Sequence, residues 1–278
     1  MLTVVIPTLN AGSTLGACLE ALERSSEVLS GIIVVDGGSA DDTIDVARSF
    51  GVTVVTNDRG LTRQRNRGLD LVVSRYVLFI DADMVVPPEP ILEGLGILER
   101  ASRVTAVVLP EISTGRGYWA RVRWLERSCY VDCWWMQAAR LFRTDAIRTI
   151  GGYDASLYAG EDWDVDQRIR QLGFVAQTPS SLYHWEGQPT LRSLLDKKEG
   201  YTGSLPAYRQ KWPQRASLQL SPLARANVLF QHSTLLMQHP LLSTGLGILG
   251  VGEFLKLRRS ADAPLRNQTR AHSDGQGS

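Results

Sequence analysis

Asp81 and Asp83, separated by one alanine at the end of the apolar run Tyr76–Ile80, have the clearest chemical potential in the chain. Side chains at i and i+2 of an extended segment point the same way. Two carboxylates held together repel unless a cation lies between them. Hard divalent ions such as Mg²⁺ and Mn²⁺ take oxygen ligands and bridge to phosphate oxygens. The pair therefore predicts an extended metal- and phosphate-binding motif, against the plainer reading of a turn or capping pair. Further along, Gly160-Glu161-Asp162 opens a helical pattern over Asp162–Leu172, with Val165, Ile169 and Leu172 on one face and Gly173 at the C-terminal cap position. Acids at a helix start are ordinary caps. The same position holds a carboxylate rigidly at a cleft edge, where it can take a proton from an attacking hydroxyl. His184, in Leu182-Tyr183-His184-Trp185, follows a strand-like segment at Phe174–Gln177 and a Pro-Ser-Ser turn. A neutral imidazole there suits Mn²⁺ as a further ligand; a histidine packed for structure alone is the other reading.

These residues need a frame. Strand patterns at Leu2–Pro7, Gly31–Asp36, Val52–Thr56, Tyr76–Asp81 and Val104–Leu109 alternate with helical patterns around Leu15–Leu22, Asp41–Ser49, Arg63–Val73 and Ile91–Leu98. Such alternation predicts a mostly parallel sheet with helices on both faces. Ligands of these sheets bind beyond the carboxyl ends of the strands. Polar residues gather at those ends: Thr8 and Asn10, then Asp36, Asp58, and Asp81 with Asp83. Turns are polar in any protein, but an acid pair after so apolar a strand points to one shared rim. From Gly115 the pattern turns irregular and rich in tryptophan (Trp119, Trp124, Trp134, Trp135), which suits either core packing or the wall of a sugar or lipid site.

Bulk composition narrows the partners. The chain has 278 residues, 44% hydrophobic, with a formal net charge of +1, and so builds a real core and needs no polyanion. No basic run interleaved with aromatics suggests nucleic acid. Three cysteines, Cys18, Cys129 and Cys133, give neither a disulfide framework nor a zinc site, and predict a reducing, cytoplasmic setting. The opening Met1-Leu2-Thr3 runs straight into a strand and predicts no signal peptide. Near the other end, Leu241–Leu257 is apolar but contains Glu253 and Lys256 and falls short of the roughly 20 residues of a spanning helix.

In order and spacing, the motifs resemble those of the family 2 glycosyltransferases over roughly residues 2 to 186. Val4-Val5-Ile6-Pro7-Thr8-Leu9-Asn10 is similar to their first strand and nucleoside turn, and Val34 to Thr43 to their second strand. Arg65-Asn66-Arg67-Gly68 resembles their RN.G segment, Phe79-Ile80-Asp81-Ala82-Asp83 their metal motif. Gly151-Gly152-Tyr153-Asp154 with Gly160-Glu161-Asp162 resembles their acceptor side and general base. The resemblance implies a GT-A fold, Rossmann-like and mostly parallel, with a C-terminal helical appendage. It implies a nucleoside held by Pro7, Thr8, Asn10 and Asp36, with Arg63 or Arg65 near the base or diphosphate. Asp83, with or without Asp81, would bind Mn²⁺ or Mg²⁺, and His184 would complete that shell. Asp162 would be the base, with Glu161 placing the acceptor. Gly37-Gly38 departs from the commoner acid and glycine, and no Q-x-x-R-W signature follows the second acid segment, which speaks against a processive synthase.

The expected reaction is inverting transfer of a sugar from a UDP- or GDP-sugar to a hydroxyl, by one in-line displacement. The rivals are a sugar nucleotidyltransferase and a non-catalytic nucleotide-sugar-binding membrane scaffold. Against the first stands the turn Pro7–Gly12, which lacks a glycine-rich phosphate loop. The expected organisation is a catalytic domain over 1–215, a helical segment over 216–259 and a disordered tail from Ser260. Val228–Phe230, Leu235–Met237 and Leu241–Leu257, flanked by cationic residues, predict peripheral contact with the inner face of a membrane and a lipid-linked acceptor. Packing on the catalytic domain or a second subunit in a homo-oligomer is the alternative.

Overall fold

A computed structural model describes residues 1–200 and 204–262. Seven strands form the main sheet in the order β3-β2-β1-β4-β8-β6-β9. At its centre lies β1 (Leu2–Thr8), parallel to β2 (Leu29–Asp36) on one side and β4 (Tyr76–Phe79) on the other. All seven residues of β1 are buried, as expected of a parallel strand covered on both faces. The period of two divides its side chains between two cores. Leu2, Val4 and Ile6 join Leu78 in a core with α1 (Gly12–Glu23) and α4 (Pro88–Arg100). Val5 joins Phe79 and Val35 in a core with α3 (Leu61–Leu71), α6 (Thr144–Thr149) and α7 (Glu161–Ile169). The helix α2 (Thr43–Ser49) leads to the edge strand β3 (Thr53–Thr56), parallel to β2.

Beyond β4 the sheet is mixed. The three-residue strand β8 (Leu141–Arg143) runs antiparallel to both β4 and β6 (Val104–Val108), and β9 (Phe174–Gln177) closes the edge parallel to β6. A second sheet of three short strands stands beside it: β5 (Met84–Val85), β10 (Leu182–Trp185) and β7 (Glu111–Thr114). Neither β8 nor this small sheet is expected from the sequence, because these short, mixed segments show neither a long apolar run nor a period. The Asp81–Asp83 segment also departs from expectation. It is a turn closed by Met84 N–H donating to the Asp81 carbonyl at 3.0 Å, so the two carboxylates do not share the face of an extended strand.

Close packing sets α3. A Cβ on Gly68 would lie 2.3 Å from Val5 Cγ1, so only glycine lets the helix rest on β1. The chain after β10 is helical: α8 (Leu191–Gly200), α9 (Leu205–Lys211), α10 (Pro213–Gln219), α11 (Pro222–Gln231), α12 (Ser233–Gln238) and α13 (Pro240–Asp262). The first of the short helices, α9, packs Tyr208 against Leu157 and Trp163, and its Lys211 Nζ lies 2.8 Å from both Asp154 and Asp164. Residue 215, the expected domain limit, lies inside α10. The last three helices pack on α5 (Gly117–Tyr130), where Val122 and Leu125 meet Leu242, Leu246 and Leu249. No helix among the described residues is long and apolar enough to cross a membrane. The expected disordered tail begins within α13, and from residue 263 it lies outside the described residues.

Candidate functional site

Arg65 is the hub of the carboxyl-end rim. It projects from α3 and is 1% exposed, yet three carboxylates converge on it. Its Nη2 donates to Asp81 Oδ1 at 2.8 Å, and its Nη1 to Asp162 Oδ1 at 2.7 Å, with Glu161 Oε1 at 3.3 Å. The guanidinium also lies 5.0 Å from the centroid of the Tyr153 ring. The neighbouring Asn66 holds the backbone of Tyr153 from both sides, donating to its carbonyl at 2.7 Å and accepting from its N–H at 2.8 Å. The Arg65-Asn66 pair thus ties the acid turn after β4 to the segment that leads into α7. Gly160, at φ +79°, turns the chain so that α7 starts with Glu161 and Asp162 beside Arg65.

The second oxygen of Asp81 lies 3.5 Å from Arg140 Nη1. Arg140 also donates through Nε to Glu111 Oε1 at 2.8 Å, and Arg127 Nη1 donates to Glu111 Oε2 at 2.6 Å. Glu111, at the start of β7, lies behind His184, with 3.5 Å between Oε2 and Nδ1, an electrostatic contact without hydrogen-bond alignment. On its other side, His184 Nε2 is 3.2 Å from Asp83 Oδ2. Strand pairing explains that contact: β10 runs antiparallel to β5 with His184 opposite Met84, and Trp185 N–H donates to the Asp83 carbonyl at 2.8 Å. The rim is therefore a chain of alternating charges from Asp162 through Arg65, Asp81, Arg140 and Glu111 to His184 and Asp83.

Burial and pairing set the protonation of this chain. Burial and the adjacent Asp162 charge push the Glu161 carboxyl up to about 7, against the pull of Arg65. Burial also opposes charge on Asp81 and Glu111, but guanidinium neighbours outweigh it and hold both below the usual carboxylate range. For His184, burial disfavours the imidazolium, yet the carboxylates of Asp83 and Glu111 prevail and lift it to about 9.

The donor set fits a divalent ion of the kind that takes few protein ligands. Asp83 Oδ1 is buried with no protein partner, and Asp83 with His184 offers one carboxylate and, once a cation displaces its proton, one imidazole. Asp81 faces guanidinium groups on both oxygens. Among the described residues no group of three or more His, Cys, Asp or Glu side chains could hold a metal by itself. Mg²⁺ and Mn²⁺ sites commonly take one or two protein ligands and fill the shell with substrate phosphates and water.

The residues expected at the nucleoside sit at the other end of the rim. Pro7 and Thr8 line a cleft with Leu9, Arg59, Gly60 and Gln64. Gln64 Nε2 donates to the carbonyls of Thr8 and Val35, both at 2.8 Å, tying two strand ends together. Asp36 is buried and accepts from Thr8 Oγ1 at 3.0 Å, from the N–H groups of Gly38 and Ser39 at 2.9 and 2.8 Å, and from the Ser39 hydroxyl. Burial raises its carboxyl, but these donors prevail and leave it below its ordinary value. Asn10, at φ +51°, accepts from Ala40 N–H at 2.8 Å. Arg63 is exposed on α3, away from the carboxylates that Arg65 collects. Glu111, Arg140 and Arg127 escape sequence reading, since no local pattern marks them; Tyr153 lies within a recognised segment without standing out.

A mixed α/β sheet with this acid rim and C-terminal helices has the GT-A fold of nucleotide-sugar glycosyltransferases. The chain matches glycosyl transferase family 2 across residues 3–155 and belongs to that family. It is a glycosyltransferase. It is 30% identical over 179 residues to a PGL/p-HBAD biosynthesis glycosyltransferase of Mycobacterium tuberculosis, covering 60% of this chain and 69% of that protein. It is 28% identical over 240 residues to a pre-mycofactocin glycosyltransferase of the same organism, covering 77% of this chain and 49% of the relative. Among solved structures, it resembles a mannosyltransferase from Pyrobaculum calidifontis in complex with GDP-Man and Mn²⁺, with a TM-score of 0.62 at 17% identity, over 93% of this chain and 87% of that one.

Proposed function

We propose that this glycosyltransferase moves a sugar, with inversion, from a UDP- or GDP-sugar to a hydroxyl on a lipid-linked or membrane-located acceptor. The observation that carries the reading is the convergence of Asp81, Glu161 and Asp162 on Arg65, beside the Asp83–His184 pair. Asp162 is the general base. Its side chain is 31% exposed where that of Glu161 is 11%, so an acceptor hydroxyl can reach it, while Arg65 fixes its direction. Glu161 places the acceptor beside it. Asp83 and His184 hold Mn²⁺ or Mg²⁺, with Asp81 steadied by Arg65 and Arg140. A bound ion there supplies charge stabilisation for the leaving nucleoside diphosphate. Arg65 and Arg140 hold Asp81 ionised, and Arg140 with Arg127 does the same for Glu111. Pro7, Thr8, Asn10 and Asp36 form the nucleoside end, where Asp36 acts by shaping the Gly38-Ser39 loop. The GDP-Man and Mn²⁺ of the Pyrobaculum protein are a precedent on the same fold.

Asp162→Asn should keep Mn²⁺-dependent binding of a nucleotide-sugar and lose transfer by a factor of about 10² or more. Asp83→Ala should lose the Mn²⁺-dependent part of donor binding, read as the thermal shift that UDP- and GDP-sugars produce with and without the ion. Normal transfer by Asp162→Asn would overturn the base assignment. Release of pyrophosphate from a nucleoside triphosphate and a sugar phosphate would instead make the protein a nucleotidyltransferase.

A further inference from the structure

The C-terminal helix α13 is apolar on two sides, and the catalytic domain uses only one. Leu242, Leu246 and Leu249 face inward onto α5. On the opposite side Leu241, Ile248, Val251 and Leu255 are exposed, at spacings of seven, three and four that put them on one stripe. Thr244, Gly247 and Gly250 are exposed with them, so the solvent side of this helix carries no charge from Leu241 to Leu255. The two preceding helices add Leu223, Phe230 and Met237, each at least three-quarters exposed. Single exposed leucines need no explanation. A run of such residues on three consecutive helices is a surface that something covers.

Charge indicates what covers it. Residues 191–259 carry ten Lys and Arg against three Asp and Glu, while residues 1–190 carry 18 against 24. The chain's near-neutral total hides an anionic catalytic part and a cationic helical one. Lys211, Arg215 and Arg225 serve internal ion pairs. Arg192, 3.7 Å from Asp196 of its own helix, and Lys197 are exposed on α8, which packs beside the end of α13 through the Lys256–Asp196 pair. Arg258 and Arg259 follow in sequence. A second copy would meet the same patch with the same patch, setting like charge against like. An anionic bilayer surface instead offers apolar depth for the stripe and headgroups for the cations.

We propose that the outward apolar residues of α11–α13, with the exposed Arg192 and Lys197 of the adjoining α8, dock this enzyme on anionic lipid bilayers. Docking there holds the enzyme at the surface in which such acceptors reside. The proposal deepens the reading of a membrane-located acceptor and does not depend on which sugar is moved.

The test uses the full chain with phosphatidylcholine vesicles, pure or containing one-third phosphatidylglycerol, in a flotation assay. The wild type should bind the anionic vesicles at least tenfold more strongly than the neutral ones. Ile248→Asp with Val251→Asp should lower that binding at least tenfold. Arg192→Glu with Lys197→Glu should erase the preference for anionic lipid. Both pairs are exposed, so melting temperature and Mn²⁺-dependent nucleotide-sugar binding should stay unchanged. Loss of donor binding with vesicle binding intact would count against the proposed function and leave the docking face standing. A wild type that fails to float with either vesicle overturns the docking proposal. So does a dimer, measured by light scattering, that Ile248→Asp with Val251→Asp dissolves while vesicle binding stays unchanged.

Discussion

The acid rim and the C-terminal helices both depend on partners distant in sequence, but they hold together by different physics. At the rim, Arg65 is a buried cation bound to Asp81, Glu161 and Asp162, groups up to 97 residues away. Such a group is satisfied only by directed, charge-assisted bonds, so its geometry is narrowly set. At the helices, Leu242, Leu246 and Leu249 meet Val122 and Leu125 through apolar contact, which is non-directional. One region fixes a few atoms closely and tolerates little change. The other fixes a face and leaves its reverse side free for another use.

The largest effect should come from breaking the rim at its hub. Arg65→Gln strands three carboxylates around a neutral side chain, and removal of one partner of a buried ion pair costs about 3–5 kcal/mol. Urea unfolding should show that loss, and transfer should vanish with it. Leu249→Ala tests the helices. This side chain is 1% exposed, and leucine-to-alanine changes in a core cost about 2–5 kcal/mol. Here catalysis per folded molecule should survive, which separates the two regions; a parallel loss of donor binding would merge them.

Glu161→Gln sharpens the comparison through pH. The carboxyl titrates near 7 in the folded protein, above its unfolded value of about 4.5. Its ionisation therefore disfavours folding as pH rises from about 4.5 to 7, and the cost is complete above 7. The substitution removes that cost, so its melting temperature should gain on the wild type by several degrees between pH 5 and pH 8. A gap independent of pH would mean that Glu161 stays ionised. Smallest of all, Met237→Ser on the exposed side of α12 should change stability by less than about 0.5 kcal/mol, measured in the same urea series.

Much of this contrast is legible in the sequence. The inner strands β1, β2, β4 and β6 show themselves by apolar runs, because a strand buried on both faces has no other way to be built. The helix from Glu161 shows its face through Val165 and Ile169. Asp81, Asp83 and His184 stand out because each comes after a recognisable strand pattern, and Asp162 because it opens a recognisable helix. What stays hidden is the pairing. Arg140 and Glu111 sit at the ends of short strands, and nothing near them in sequence shows that they meet. Arg63 and Arg65 look equivalent on paper. The helix turns one to solvent and the other into the rim, and the glycine at 68 that lets α3 approach β1 decides how deep. The turn at Asp81–Asp83 is hidden for a related reason: β5, which follows it, has only two residues.

One helix joins the two regions. From α5, Arg127 reaches Glu111, which stands behind His184, and Arg123 reaches Glu186, two residues further along the chain. Glu126 of the same helix meets Arg225 of α11, which in turn meets Glu253 of α13. Anyone shortening this protein for crystals or assays would be tempted to cut before α11 and keep the family domain. That cut would take away counter-ions as well as a surface. Glu126 would lose Arg225 while keeping Arg123, and the buried side of α5 would face water. The acid rim and the helices behind it thus draw on one set of ion pairs, and α5 carries both ends of it.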